Sequence, residues 1–244
     1  MKIGGIQKFS LIEYPAKLSA IIFTRGCNFR CPYCHNPELV DPKRYRDLIS
    51  ETEIMKFLKS RIGKLEAVVI TGGEPTLQPD LIDFAIELKA MGYYIKLDTN
   101  GSRPEVIQKL IKRNAVDYWA MDIKAPLALY PSICGCPIQE KDILACMDLI
   151  RNSGKEWEFR TTYFNQVLNQ KDIASIQTLL KPGDRYYIQK CKYDNTLLPM
   201  QEPLQNDWGE LFKQKQRGAE KSEVQQTDRE KDISDLPPII IKLR

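Results

Sequence analysis

The chain has 244 residues, 43% of them hydrophobic, enough for one substantial core, so a single main domain is expected. Its 36 Lys and Arg against 32 Asp and Glu leave a net charge of only +4, too slight a bias to argue for nucleic acid or a membrane surface as partner. No stretch approaches the roughly 20 apolar residues of a membrane span, and residues 1–13 hold no apolar run of signal-peptide length, so a soluble cytoplasmic protein is expected.

The first predicted strand covers residues 18–24, and the loop after it carries Cys27, Cys31 and Cys34. Seven cysteines is an odd number, and a reducing cytoplasm disfavours disulfides, so this group reads as metal-binding or catalytic before it reads as bridging. Three soft thiolates suit an iron-sulfur cluster or zinc. On a 4Fe-4S cluster three cysteines leave one iron without a protein ligand, an open position for a small molecule. Two alternatives share these residues. Cys31-Pro-Tyr-Cys34-His35 matches the C-x-x-C-H pattern of haem attachment, which belongs mostly to exported proteins, and His35, the sole histidine, would complete a Cys3His zinc site.

Apolar spacing of three and four then predicts a helix through Ile54, Phe57, Leu58 and Ile62, with Ser50 and Thr52 as start signals. A strand at 67–71 runs into Gly72-Gly73-Glu74-Pro75, where glycines let a ligand approach backbone amides; a tight turn with a solvated Glu is the plain alternative. A helix through Leu81, Ala85 and Leu88 follows Asp80, and a strand at 94–98 ends in Asp98-Thr99-Asn100-Gly101. Next come a helix through Val106, Leu110 and Ile111 with Pro104 in its first turn, and a strand at 118–123 that leads through Asp122 to Lys124.

Cys134-Gly135-Cys136 reads as two reduced loop cysteines, with a second metal or redox pair as the alternative. A helix through Ile143, Cys146, Met147 and Ile150 leads to a strand at 157–163 carrying Arg160-Thr161-Thr162, then to a helix through Ile173, Ile176 and Leu180 and a strand at 186–189. Residues 213–235 are polar and mixed in charge, which reads as disorder or a frayed helix. Residues 237–241 are apolar enough to dock or to form a short partner-binding strand. The expected organisation is a core at 1–212, including an N-terminal extension, and a charged, disordered tail at 213–244.

Six strands alternating with five helices predict successive βα units around a parallel sheet, either an open doubly wound sheet or an incomplete barrel. The cysteines and polar clusters fall at strand C-termini, the edge where such sheets bind ligands.

The C-x3-C-x2-C loop with Tyr33 before its last cysteine, together with Gly72-Gly73-Glu74-Pro75 after the second predicted strand, resembles the radical S-adenosylmethionine (radical SAM) superfamily. The segment 23–39 with Asp98-Thr-Asn-Gly101 and Met121-Asp-Ile-Lys124 is similar to anaerobic ribonucleoside-triphosphate reductase activating proteins and pyruvate formate-lyase activating enzymes, over roughly residues 1–190. The resemblance implies a partial (β/α)6 TIM-like barrel of the radical SAM type. It implies a 4Fe-4S cluster on Cys27, Cys31 and Cys34, with S-adenosylmethionine chelating the open iron through its amino and carboxylate groups. Gly72, Gly73 and Glu74 would hold the amino group, Tyr33 would lie near adenine, and Asp98, Asp122 and Lys124 would contact the methionine moiety and ribose, with Arg160 a weaker carry-over; it assigns no catalytic side chain.

The implied reaction is reductive cleavage to a 5′-deoxyadenosyl radical that takes hydrogen from a glycine of an anaerobic ribonucleotide reductase, with reduced flavodoxin or ferredoxin as electron donor. A small-molecule radical enzyme of the 7-carboxy-7-deazaguanine synthase kind and a non-catalytic iron-sulfur electron-transfer protein are the alternatives. Two departures from the family pattern stand out: Ala16 where glycine is usual, and Thr162-Tyr163-Phe164-Asn165 in place of a Pro-Gly turn.

Overall fold

A computed structural model describes residues 1–192, 194–199 and 239–242. Eight strands form one sheet in strict chain order: β1 (Ile3–Tyr14), β2 (Lys17–Thr24), β3 (Ala67–Gly72), β4 (Tyr94–Thr99), β5 (Tyr118–Asp122), β6 (Glu156–Tyr163), β7 (Tyr186–Lys190) and β8 (Ile239–Lys242). Strands β2 to β8 are parallel, β1 joins antiparallel at one edge, and the sheet curls into a half-barrel. This resolves the choice left open by periodicity in favour of the incomplete barrel. The helices are α1 (Pro37–Val40), α2 (Glu51–Lys59), α3 (Leu81–Ala90), α4 (Pro104–Lys112), α5 (Tyr130–Cys134), α6 (Glu140–Arg151) and α7 (Gln170–Gln177).

The six predicted strands form as expected because parallel strands covered on both faces read as near-continuous apolar runs. Val68, Val69 and Ile70 in β3 and Trp119, Ala120 and Met121 in β5 are fully or almost fully buried on alternating faces. Ser50 caps α2 by accepting from the Glu53 amide at 3.2 Å. Asp80 precedes α3 without capping it, its carboxylate being taken by the Met1 ammonium.

Two elements extend the predicted set. The N-terminal extension forms β1, whose three irregularities against β2 break the alternation that would have marked it. The apolar end of the chain forms β8 on the far edge of the sheet, whereas the polar run 213–235 lies outside the described residues. The β1–β2 hairpin turns on Pro15 and Ala16, and Ala16 has φ 58°, which explains why glycine is the natural residue there.

The sheet separates two cores. The larger lies between sheet and helices; the smaller, inside the curl, gathers Tyr14, Ile21, Ala67, Val69 and Tyr118 at the N-terminal ends of the strands. Tyr14 comes from the hairpin and meets Tyr118 at a ring separation of 5.6 Å, so β1 closes the floor of the half-barrel and leaves the opposite end for chemistry.

Candidate active site

The cysteine loop leaves β2 at Thr24 and is tied at its base by the Gly26 amide, which donates to Leu39 O at 2.7 Å. The three sulfurs differ in their surroundings. Cys27 Sγ accepts from the Phe29 amide at 3.3 Å, with Asn100 Nδ2 at 4.0 Å. The neighbouring Cys134 side chain outweighs burial and lowers the Cys31 pKa. Cys34 is pushed up by burial, partly offset by the Asn36 backbone, and burial with the nearby Glu74 pushes Cys27 up to about 12. Thiols held that high ionise when a metal cation replaces the proton.

The turn after β3 is packed backbone to backbone on this loop. Gly73 N donates to Thr24 O at 2.8 Å and Glu74 N to Gly26 O at 2.8 Å. A Cβ on Gly73 would lie 2.1 Å from Gly26 O, and one on Gly72, at φ 113°, would lie 2.4 Å from Thr24 N. The glycines are therefore required by the approach of the protein's own strands. The Glu74 carboxylate is fully buried rather than solvated. Its Oε1 accepts from the Thr76 amide (3.0 Å), the Thr76 hydroxyl (2.5 Å) and the Thr99 hydroxyl (2.9 Å), and its Oε2 from the Asn100 amide (2.7 Å). Burial raises its pKa against these bonds. The Glu74 side chain thus joins the ends of β3 and β4.

The opposite wall is a chain of alternating charges on the inner faces of β4, β5 and β6. Lys124 Nζ meets Asp122 Oδ2 at 2.8 Å, Arg160 Nε meets Asp122 Oδ1 at 2.9 Å, and Arg160 Nη1 reaches Asp98 Oδ2 at 3.4 Å and Glu158 Oε1 at 3.7 Å. Lys96 Nζ completes it, 3.3 Å from Asp98 Oδ1 and donating to Glu13 O at 2.6 Å. Register explains the reach: Ala120 lies between Asp98 and Glu158 on the paired strands, and its small side chain leaves space for Arg160 to cross β5. Burial alone would raise the Asp122 pKa, but Arg160 and Lys124 outweigh it and hold the carboxyl well below the usual range. The same partners raise Lys124 and Arg160 against their own burial.

All ten residues singled out as cluster or cofactor ligands line one cavity of about 340 Å³, together with Arg160. Tyr33 is buried, its ring 6.4 Å from that of Phe164 and its hydroxyl donating to Lys124 O at 3.4 Å. Lys96 and Glu158 escaped the sequence reading. Their signal was a charged residue two positions before Asp98 and Arg160 on the same strand, hence on the same face.

The donor set fits an iron-sulfur cluster. Among the described residues no three His, Cys, Asp or Glu side chains converge on a single ion. The three thiols instead line the cavity without converging on one point, as suits a cluster whose ligands sit on different irons. His35 lines the same cavity, but its Nε2 lies 3.5 Å from Cys191 Sγ and it forms no three-residue metal group with the cysteines among the described residues.

A family described as the radical SAM superfamily matches residues 21–175. The chain belongs to that superfamily. It is 38% identical over 86% of its length to a Methanocaldococcus jannaschii protein, covering 90% of it, whose name as a glycyl-radical enzyme activating enzyme is itself provisional. To the pyruvate formate-lyase-activating enzyme of Streptococcus mutans it is 30% identical, over 86% of this chain and 81% of that one. Of solved structures, Streptococcus suis SuiB shares the fold at a TM-score of 0.66 and 13% identity, over 91% of this chain and 48% of that one. This radical SAM enzyme therefore stands among the glycyl-radical enzyme activating enzymes, with a 4Fe-4S cluster and S-adenosylmethionine as cofactors. No described helix is long and apolar enough to cross a membrane.

Proposed function

We propose that this enzyme installs the glycyl radical of an anaerobic ribonucleoside-triphosphate reductase in the cytoplasm, drawing electrons from reduced flavodoxin or ferredoxin. The observation that carries the reading is the similarity to activating enzymes over nearly the whole described chain, with Asp98, Asp122 and Lys124 of the matching motifs gathered at one cavity. Cys27, Cys31 and Cys34 hold the cluster and leave one iron for the cofactor. When bound, the cluster supplies one electron to S-adenosylmethionine, which yields methionine and 5′-deoxyadenosine with the hydrogen atom drawn from the partner's glycine.

The protein's own part is positional. The backbone of Gly72, Gly73 and Glu74 faces the cofactor's amino group, while the Glu74 carboxylate keeps that backbone in place. Asp122 and Lys124, the most accessible members of the charge chain, offer an acceptor and a donor to the ribose and methionine groups. Tyr33 and Phe29 supply apolar wall around the cysteines, which keeps water from the reacting atoms.

A second reading has a specific observation behind it: 37% identity to the 7-carboxy-7-deazaguanine synthase of Methanothermobacter thermautotrophicus, over 51% of this chain and 50% of that one. One experiment separates the two. The reconstituted enzyme is reduced under anaerobic conditions with S-adenosylmethionine, with and without the reductase. A glycyl-radical EPR signal on the reductase, with 5′-deoxyadenosine in equal amount, is the expected result. Cofactor cleavage with no radical on the reductase would overturn the proposed target, and no cleavage at all would overturn the assignment of the site.

A further inference from the structure

The cysteine loop forms neither helix nor strand between Arg25 and Asn36, so its backbone groups depend on partners from elsewhere in the chain. For its second half that partner is the segment 194–198, which comes after β7. Asn195 bends the chain there at φ 52°, a left-handed conformation that asparagine adopts more readily than most residues. The Leu197 amide then donates to Cys34 O at 3.0 Å and the Leu198 amide to Pro32 O at 3.0 Å. Tyr33 stands between the two bonded carbonyls. The Thr196 hydroxyl donates to Leu198 O at 2.6 Å and closes the segment on itself. Arg44, at the end of the 3-10 turn Pro42–Arg44, ties the segment down from outside, with Nη1 donating to Thr196 O at 3.4 Å and Nη2 to Leu197 O at 3.3 Å.

We infer that the segment 194–198 is a brace for the iron-sulfur centre: the amides of Leu197 and Leu198 are positioning groups that hold the loop at Cys34 and slow the escape of iron. The inference rests on the assignment of Cys27, Cys31 and Cys34 as ligands. A cluster held by three thiolates on one loop is lost when that loop opens locally, and whatever lowers the open population slows the loss in proportion. Groups that orient a ligand without touching the metal act in this way. The start of the loop is fixed by the bonds at Gly26, and its middle by the Arg30 amide, which donates to Cys134 O at 2.7 Å. The brace does the same for the end that carries Cys34. The backbone makes the contact, since the Leu198 side chain is 55% exposed. A side-chain change that keeps the amide therefore leaves the brace intact, and one that removes the amide breaks it.

The test is the anaerobic transfer of iron from the reconstituted full-length protein to bathophenanthroline disulfonate, a ferrous chelator, with dithionite present so that the iron leaves as Fe(II). Leu197→Pro removes the amide that reaches Cys34, and Leu197→Ala keeps it. The release rate is expected to rise about tenfold in Leu197→Pro, the factor that one lost backbone hydrogen bond accounts for, and to stay within about twofold of wild type in Leu197→Ala. Urea midpoints of the two cluster-free variants are expected to coincide, which marks the effect as local. Equal rates in wild type and Leu197→Pro, equal rises in both variants, or a urea midpoint lower in Leu197→Pro than in Leu197→Ala overturn the inference. A wild type that takes up no cluster overturns the ligand assignment, and the inference with it.

Should Leu197→Pro fail to take up iron, the brace is read by hydrogen exchange and mass spectrometry on the full-length, cluster-free wild type and Arg44→Ala. A peptide covering residues 196–198 is expected to be protected in the wild type and to exchange about threefold faster in Arg44→Ala. Exchange in the wild type at the rate of an unfolded chain, or equal exchange in the two proteins, overturns the inference.

Discussion

The two walls of the cavity are built on opposite principles. On the side of β2 and β3 the protein presents sulfur and backbone, and the shape depends on residues that have no side chain: Gly72 and Gly73 allow the turn to lie against Thr24 and Gly26. On the side of β4, β5 and β6 it presents long charged side chains whose positions are fixed by one another, three cations against three carboxylates. The first wall fails by steric clash and the second by stranded charge. A metal cluster needs its ligands at set positions, which backbone packing supplies; a charged small molecule needs polarity without reorganisation, which a paired network supplies.

The largest effect that would test this division is Arg160→Met. It leaves Asp98, Asp122 and Glu158 without their shared cation and is expected to cost about 3–5 kcal/mol in a urea titration; a loss below 1 kcal/mol would mean that the carboxylates repair the network among other partners. Next is Gly73→Ala, whose added methyl meets the Gly26 carbonyl and is expected to cost about 3 kcal/mol while lowering iron uptake on reconstitution, whereas Arg160→Met protein that remains folded should still take up iron.

Glu74→Gln keeps the shape but turns one acceptor into a donor facing donors, for about 1–3 kcal/mol. Calorimetric S-adenosylmethionine affinity should hold once the protein is folded; a large loss of affinity at unchanged stability would show that the carboxylate reaches the cofactor after all. The smallest effect is on pH. The Asp122 pKa is lowered on folding, so its contribution is fully present above the ordinary carboxylate range and is lost as pH falls through its folded value. The stability gap between wild type and Asp122→Asn should therefore narrow between about pH 4 and pH 2, and a gap independent of pH would place the charge of Asp122 outside the network.

Most of the scaffold was legible because its signal is local. A strand such as 67–71, covered on both faces, has to be apolar at every position, and amphipathic helices such as 143–150 carry their period openly. β1 was read only as an extension because its bulges and exposed Phe9, Leu11 and Ile12 obey neither period. In the site, position was legible and use was not. Asp98, Asp122 and Lys124 line the cavity as strand-end placement implied, but that Arg160 joins two of them depends on the smallness of Ala120 on the strand between. Glu74 shows the same limit: its motif marked the place, while its four donors come from Thr76, Thr99 and Asn100 and appear only once β4 is alongside β3.

The strict chain order of the sheet has a consequence in time. Each strand pairs with the one made just before it, so the half-barrel can assemble from its N-terminal edge while the chain is still being synthesised. The loop bearing Cys27, Cys31 and Cys34 leaves the ribosome roughly a hundred residues ahead of α5, which at ordinary elongation rates is about 5–20 s. During that interval the three thiols are presented without the helix that later covers Cys31, a window in which delivery of iron and damage by oxidants compete for the same sulfurs.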